Sequence, residues 1–409
     1  MYKRKGRGCR KTDIKSSNVF TDYFLEKYGN LFMMKYPNIT LEPVEIRPED
    51  IYNPEKYEKM LSESSPDILD LNLVMYNHLI EKGFLYSLDV LMKQNDFDID
   101  NYFPGVIEIL KQNDGQLYGL SPDFSTDALY FNRELFEEFK IPLPTDKMSW
   151  TEILDLAKRF PNSDNKGNKI YGFSMNSLFG FYGLFNSIGV TSGLQQIDKK
   201  ESALGTSEWK KIFVNAVEAY RAGAVQPGVL DEQPEDLFIQ GRVAMQLNSS
   251  QYIKTMKSEK EFNKNFKPFQ WGIVTYPINP NNNEYSDRVS VDHIFSITKN
   301  TIHLSEAWKF ISYINSEEVA KLQSRTLSSD ILSRPGLMTE SGLGIDVSAF
   351  YKLKPIKSSL KKGVGFGREH YVSINTEAQN AIDGKKTVDE AYENIIKQSK
   401  LELKESLAK

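Results

Sequence analysis

From Phe24 onward, short apolar runs of strand period alternate with segments of helical period, and this alternation restricts the chain to an α/β architecture. Phe24 to Tyr36 reads as a helix closed by Pro37, and Asn38 to Ile46 alternates as a strand. Ser65 to Leu71 reads as a second strand, and Asn77 to Tyr86 as a short helix that ends near Gly83. A helical crossover between parallel strands is the connection such an order demands. Gln116 to Leu120 and Ala128 to Asn132 follow as further strands, with the polar segment Ser121 to Asp127 between them. Ser149 and Glu152 have capping-box spacing and open a helix. Phe238 to Leu247 gives a helix end, a glycine turn and a strand. Arg288 to Ile297 alternates as a strand, and a helix runs from an N-cap at Ser305 to Leu322.

The chain has 409 residues, more than one hydrophobic core usually serves, so two lobes are expected. Its 51 basic and 55 acidic residues are interleaved and give a net charge of −4, which leaves no basic face for nucleic acid. No run of about 18 apolar residues is present to span a membrane. The single cysteine, Cys9, rules out an internal disulfide framework and a cysteine-rich metal site. It follows a basic start, Met1 to Gly8, that has the character of an export signal's first region but lacks the apolar stretch that should come next. Gly8-Cys9 fits the fragment of a lipoprotein signal at which the cysteine is acylated, but reads more readily as a lone surface cysteine.

Catalytic constellations are missing. The four histidines, His78, His293, His303 and His370, are scattered, and no zinc or nucleophile-elbow motif occurs. Asp96 to Asp100 imitates the start of a calcium loop, but Asn101 and Ile107 stand where the glycine and the bidentate glutamate belong. No metal and no cofactor are expected.

Several segments, taken in order, carry a family resemblance: Tyr36-Pro-Asn-Ile39, Ser65-Pro-Asp-Ile68, Gly115-Gln-Leu-Tyr-Gly-Leu120, Ala128-Leu-Tyr-Phe-Asn132, Ser149-Trp-Thr-Glu152, Phe238-Ile-Gln-Gly241 with Ala244-Met245, and Ala307-Trp-Lys-Phe310. The chain from about Phe20 to its end resembles extracellular solute-binding protein family 1, the maltose-binding-protein-like sugar-binding components of ABC importers. The resemblance implies a two-lobed, type II periplasmic-binding-protein-like α/β fold with chain crossings near Thr126, Arg288 and Ser333. The first lobe would be 1–125 plus 290–332 and the second 126–289 plus 333–409. It also implies a monomeric, non-enzymatic protein that closes over a sugar or oligosaccharide and delivers it to a membrane permease. The protein would lie outside the cell membrane as a lipoprotein, or be secreted or periplasmic. Two alternatives stay open: a non-sugar solute such as a polyol, sugar phosphate or peptide, and a carbohydrate-active enzyme. The family's first strand should fall on Asp13 to Ser17, which is short and polar, so a weak or missing strand is expected there.

Ligands of open α/β sheets bind beyond the carboxyl ends of strands. Sugars need carboxylates or amides for their hydroxyls and aromatic rings for their C–H faces. The candidates on strand-ending loops are Tyr76 and Asn77, then Asp123, Phe124 and Asp127, then Asn248 and Tyr252, and Asp292. By resemblance Phe179 and Tyr182 belong to an aromatic loop, with Tyr182 the preferred stacking ring; Phe366 and Arg368, in the glycine-rich stretch 363–369, are candidates to reach the site from the second lobe. Trp271 is a further aromatic candidate that reads more readily as core. Asp127 reads equally as a turn cap.

Overall fold

The computed structural model describes residues 11–18, 21–175, 177–325, 331–338, 345–356 and 366–408. Cys9 lies outside them. The chain divides into two compact units, Met1–Ser125 with Ser290–Gly342, and Thr126–Val289 with Leu343–Lys409. Residues 333–338, expected in the second lobe, belong to the first unit. Ser333 accepts a backbone bond from Phe103, and the Arg334 guanidinium reaches the Asn315 carbonyl and Asp98.

The sheet of the first unit has the order Ile39–Glu45, Thr12–Asn18, Ile68–Leu71, Ile294–Ile297, Gly119–Leu120. Its first three strands are parallel, and Ile294–Ile297 runs antiparallel to Ile68–Leu71. The strand expected to be weak is complete. Thr12–Asn18 pairs residue for residue with Ile39–Glu45 on one side and meets Ile68–Leu71 on the other. Ile14, Ser16 and Ser17 are fully buried, because small side chains fit a strand flanked on both edges and the backbone ladder rather than side-chain preference decides its place. By contrast, the strand expected from Arg288 shrinks to Ile294–Ile297.

The opening helix covers Thr21–Phe24 and Asn30–Lys35, with a π-helical turn at Leu25–Gly29 between them. Its apolar face sets Phe24 and Phe32 against Phe310, with ring centroids 5.7 and 5.1 Å apart, and Tyr28 edge-on to Phe295 at 5.2 Å. The helix expected from Asn77 begins earlier, at Leu73, because the Asn72 side chain caps it by accepting the Met75 N–H at 2.9 Å. The helix expected over 305–322 is two helices, Leu304–Ile314 and Glu317–Arg325, separated at Asn315, and Ser305 lies within the first rather than capping it.

The second unit is built on a four-stranded sheet ordered Trp271–Thr275, Asp127–Asn132, Val243–Ser249, Tyr171–Ser174. Asp127–Asn132 is antiparallel to both neighbours, and Tyr171–Ser174 is parallel to Val243–Ser249. The predicted capping box is present. Ser149 accepts the Glu152 N–H, and the Glu152 carboxylate accepts the Ser149 N–H at 2.7 Å, opening Trp150–Ala157. Phe181–Thr191, Ser207–Arg221, Arg368–Ile382 and Val388–Ala408 close the core around Trp209, Phe213 and Tyr392.

Candidate functional site

In the first unit the carboxyl end of Ile68–Leu71 meets the start of the antiparallel Ile294–Ile297, since Leu71 is in register with Ile294. That register brings Asp70 and Asn72 beside Asp292 and His293. The opening helix adds Tyr23, Phe24 and Tyr28, and the segment before Pro54–Ser64 adds Ile51 and Tyr52. These residues and Tyr57 line a cavity of about 220 Å³. Tyr23 and Tyr52 are 41% and 54% exposed as residues.

Two ionic groups hold this cavity in shape. His293 Nδ1 lies 3.1 and 3.0 Å from the two Asp70 oxygens. Burial of His293 opposes its charge, but the Asp70 carboxylate, aided by Asp123, prevails and pushes the imidazole up to about 9. Behind the cavity, the Asp123 carboxylate takes an ion pair from Lys27 at 2.8 Å and a hydrogen bond from the Tyr28 hydroxyl at 2.7 Å. Burial, then the Asp123 charge, drives the Tyr28 hydroxyl well above its ordinary value, so it remains a donor. Lys27 and Tyr28 both sit in the π-helical turn, whose wider spacing lets consecutive side chains converge on one carboxylate. Asp292 is exposed and oriented, accepting from Ser125 Oγ at 3.1 Å and Ser290 Oγ at 2.6 Å.

In the second unit Ser249 is in register with Asp127, and Thr275 with Ala128, so Asp127 lies at the end of the sheet where Val243–Ser249 and Trp271–Thr275 finish. Burial raises the Asp127 carboxyl, and Asp287 adds to this while Arg288 opposes it. The Arg288 guanidinium covers the Tyr276 ring at 5.0 Å and donates to Ser187 at 3.1 Å. A second feature is aromatic. Phe179, 46% exposed, stands edge-on to Tyr371 at 5.6 Å; Tyr182 and Tyr371 have centroids 4.5 Å apart; and Phe366 stacks on His370 at 3.7 Å. Gln196 ties the group together, its Nε2 donating to the Tyr182 hydroxyl at 3.2 Å and its Oε1 lying 2.7 Å from His370. Asn375 braces the backbone there, donating to the Phe179 carbonyl at 3.2 Å.

The structure sorts the predicted residues into three groups. Asp292 in the first unit, and Phe179, Tyr182 and Phe366 in the second, lie in or beside the clusters just described, and Asp127 and the half-buried Asn248 share one end of the second sheet. Arg368 opens the helix carrying His370 and Tyr371, but its exposed guanidinium is paired with Asp231. The others are structural. Tyr76 is fully buried and donates to the Leu110 carbonyl at 2.9 Å; its predicted loop is the first turns of a helix. The neighbouring Asn77 accepts from Gln112. Phe124 stacks on Phe103, Tyr252 is buried with its hydroxyl on Asp236 at 2.7 Å, and Asp123 is engaged by Lys27 and Tyr28. Trp271 pairs with Asn132, the opposite end of its strand from Asp127, about 15 Å away along the sheet. Residues not predicted for the site, Tyr23, Tyr52, Asp70, Asn72 and Tyr371, supply much of the two clusters, together with His293, which its place beside Asp292 offers as a contact but which reads more readily as structural. The one local signal for any of the first five is the Asp70-Leu-Asn72 ending of a strand, with Asn72 placed to cap the next helix.

Comparison with known proteins gives a consistent picture. The family model for bacterial extracellular solute-binding proteins matches residues 15–321. A binding protein of Brucella abortus (strain 2308) is 23% identical over 397 residues, covering 89% of this chain and 90% of that protein. Two solved structures share the fold along nearly the whole length. A sugar transporter of Rhizobium etli, in an open conformation, has a TM-score of 0.65 at 18% identity, covering 95% of this chain and 99% of that one. The sugar-binding protein MalE of Xanthomonas citri has a TM-score of 0.66 at 17% identity, covering 96% and 98%.

Proposed function

The chain belongs to the bacterial extracellular solute-binding proteins, the solute-capturing components of ABC importers, and we propose that its solute is a sugar or oligosaccharide, captured by lobe closure and passed to the permease. The observation that carries this reading is the cavity of the first unit, where exposed tyrosines stand beside an oriented carboxylate and a hydrogen-bonding imidazole. Rings suit the C–H faces of a sugar, and Asp292, Asn72 and His293 suit its hydroxyls. In the second unit Tyr182, Phe179 and Tyr371 offer further stacking surface, and Asp127 a further carboxylate. The sugar binders among the structural relatives support the same class. As part of this reading the protein works as a monomer outside the cell membrane, with Cys9 as its lipid anchor, and leaves its ligand chemically intact.

Calorimetric titration with a panel of mono- and oligosaccharides and polyols tests the proposal. A saturable heat with at least one sugar, and recovery of that sugar unchanged after hours of incubation, is the expected result. Absence of both heat and thermal shift across the panel would overturn the carbohydrate reading, and released products would turn it into an enzyme.

A further inference from the structure

The charges around the first unit's cavity are unequal in what they leave for a ligand. Two carboxylates, Asp70 and Asp292, and one imidazole, His293, line it. The cations on the surrounding segments already sit on carboxylates: His293 on Asp70, Lys27 on Asp123, and Arg47 and Lys56 on Asp50 beside the lining residue Ile51. Paired in this way, these groups offer an incoming anion little net attraction. Asp292 differs from the other carboxylates. It is exposed, and its described partners are the neutral hydroxyls of Ser125 and Ser290, which orient the carboxylate without neutralising it. Recognition of a carboxylate or phosphate generally uses an arginine or lysine free to fork onto it, or a nest of backbone N–H groups. Among the described residues, those that line this cavity include no arginine or lysine. A sugar hydroxyl, by contrast, donates to an exposed carboxylate at no electrostatic penalty.

We infer that this cavity admits uncharged carbohydrate and excludes carbohydrate bearing a carboxylate or phosphate, with Asp292 as the discriminating residue. The inference rests on the carbohydrate reading above and removes acidic sugars and sugar phosphates from it. Two like charges held within a few ångströms near a protein surface repel strongly enough to change affinity by about tenfold or more. The repulsion is long-ranged and screened by salt, which separates it from a loss of fit.

The test uses the full chain at pH 7 and matched pairs that differ in charge with their rings intact: glucose, galactose and mannose against their uronic acids and 6-phosphates, and lactose, maltose and cellobiose against their 6′-phosphates. For each scaffold that binds, the neutral form is expected to bind at least about tenfold more tightly than the acidic form. The gap should narrow as salt is raised and again in Asp292→Asn, a variant that keeps an oxygen acceptor for one of the two serines and offers its NH2 to the other hydroxyl, which can accept; circular dichroism checks its fold. Equal or tighter binding of an acidic form would overturn the inference while leaving the carbohydrate reading in place. An unchanged gap in folded Asp292→Asn would remove Asp292 from its role, and the salt dependence, which needs no variant, reports on the repulsion by itself. If no scaffold binds in any charge state, the carbohydrate reading fails and the inference falls with it.

Discussion

His293 and His370 carry opposite electrostatic strain, and the pH dependence of stability should separate them. His293, held by Asp70, is pushed up to about 9 in the folded chain, against about 6.5 in an unfolded one. A raised value means that its stabilisation is complete below about pH 6.5 and is lost as pH rises through about 9. His370 is buried among Phe366, Tyr182 and Gln196, and burial lowers it to about 4. Its nitrogen lies 3.4 Å from Glu402, but that carboxyl is itself raised by burial, so the pair does not rescue the charge. A lowered histidine has the reverse sign: its contribution is present above about pH 6.5 and lost as pH falls toward 4. Thermal unfolding followed from pH 4 to 9.5 should therefore show an alkaline limb that flattens in Asp70→Asn and an acid limb that flattens in His370→Gln. An alkaline limb unchanged by Asp70→Asn would mean that the carboxylate does not hold the imidazolium.

At the scale of elements, backbone meets backbone tightly where Tyr171–Ser174 passes Trp150–Ala157. A Cβ at Gly172 would stand 2.1 Å from the Ala157 carbonyl oxygen, and this neighbour is backbone, which has no rotamer to escape into. Gly172→Ala should lower stability by about 1–3 kcal/mol in urea unfolding, the usual range for overpacking, whereas Gly205→Ala, with nothing within 4 Å, should be close to neutral. Equal midpoints for the two variants would show that helix and strand can part without cost. The same neighbourhood shows what a sequence can disclose. The Ser149–Glu152 capping box is a local, four-residue device, and it was legible as such. The Thr12–Asn18 strand was not, because its place depends on partners on both edges and its buried serines give no strand pattern of their own. The first unit's cavity was less legible still. His293 and Asp70 are 223 residues apart, and only the register of two antiparallel strands brings them into contact. Asp123, conspicuous in a polar segment, proved to be the anchor of Lys27 and Tyr28 instead of an open acceptor, since the π-helical turn that engages it leaves no mark in the sequence.

At the scale of the whole molecule, the two units have separate sheets and separate cores, and each is covalently continuous with the other through several chain crossings. In a protein of this family, capture by lobe closure requires the ligand to favour the closed state over the open one, since a ligand with equal affinity for both moves nothing. Carrying an equilibrium from about 1:99 to 99:1 takes a preference of about 10⁴-fold, or about 5.5 kcal/mol. Hydrogen bonds of the proposed ligand to Asp292, Asn72 and His293, all in the first unit, form in either state, so the preference has to come from contacts that the ligand gains only on closure, at about 1 kcal/mol net for each hydrogen bond, more where a charge takes part, and a similar amount for each stacked ring. Small-angle X-ray scattering on the full chain, with and without a sugar shown by calorimetry to bind, then gives a direct reading. The radius of gyration should fall on saturation, and the fall should track the calorimetric isotherm across a titration. Aromatic substitutions separate affinity from closure: Tyr182→Ala should shift the titration to higher sugar concentration while reaching the same final radius. A scattering profile that stays constant under a saturated isotherm would overturn closure as the mode of capture, and would leave a binding protein that presents its solute without changing shape.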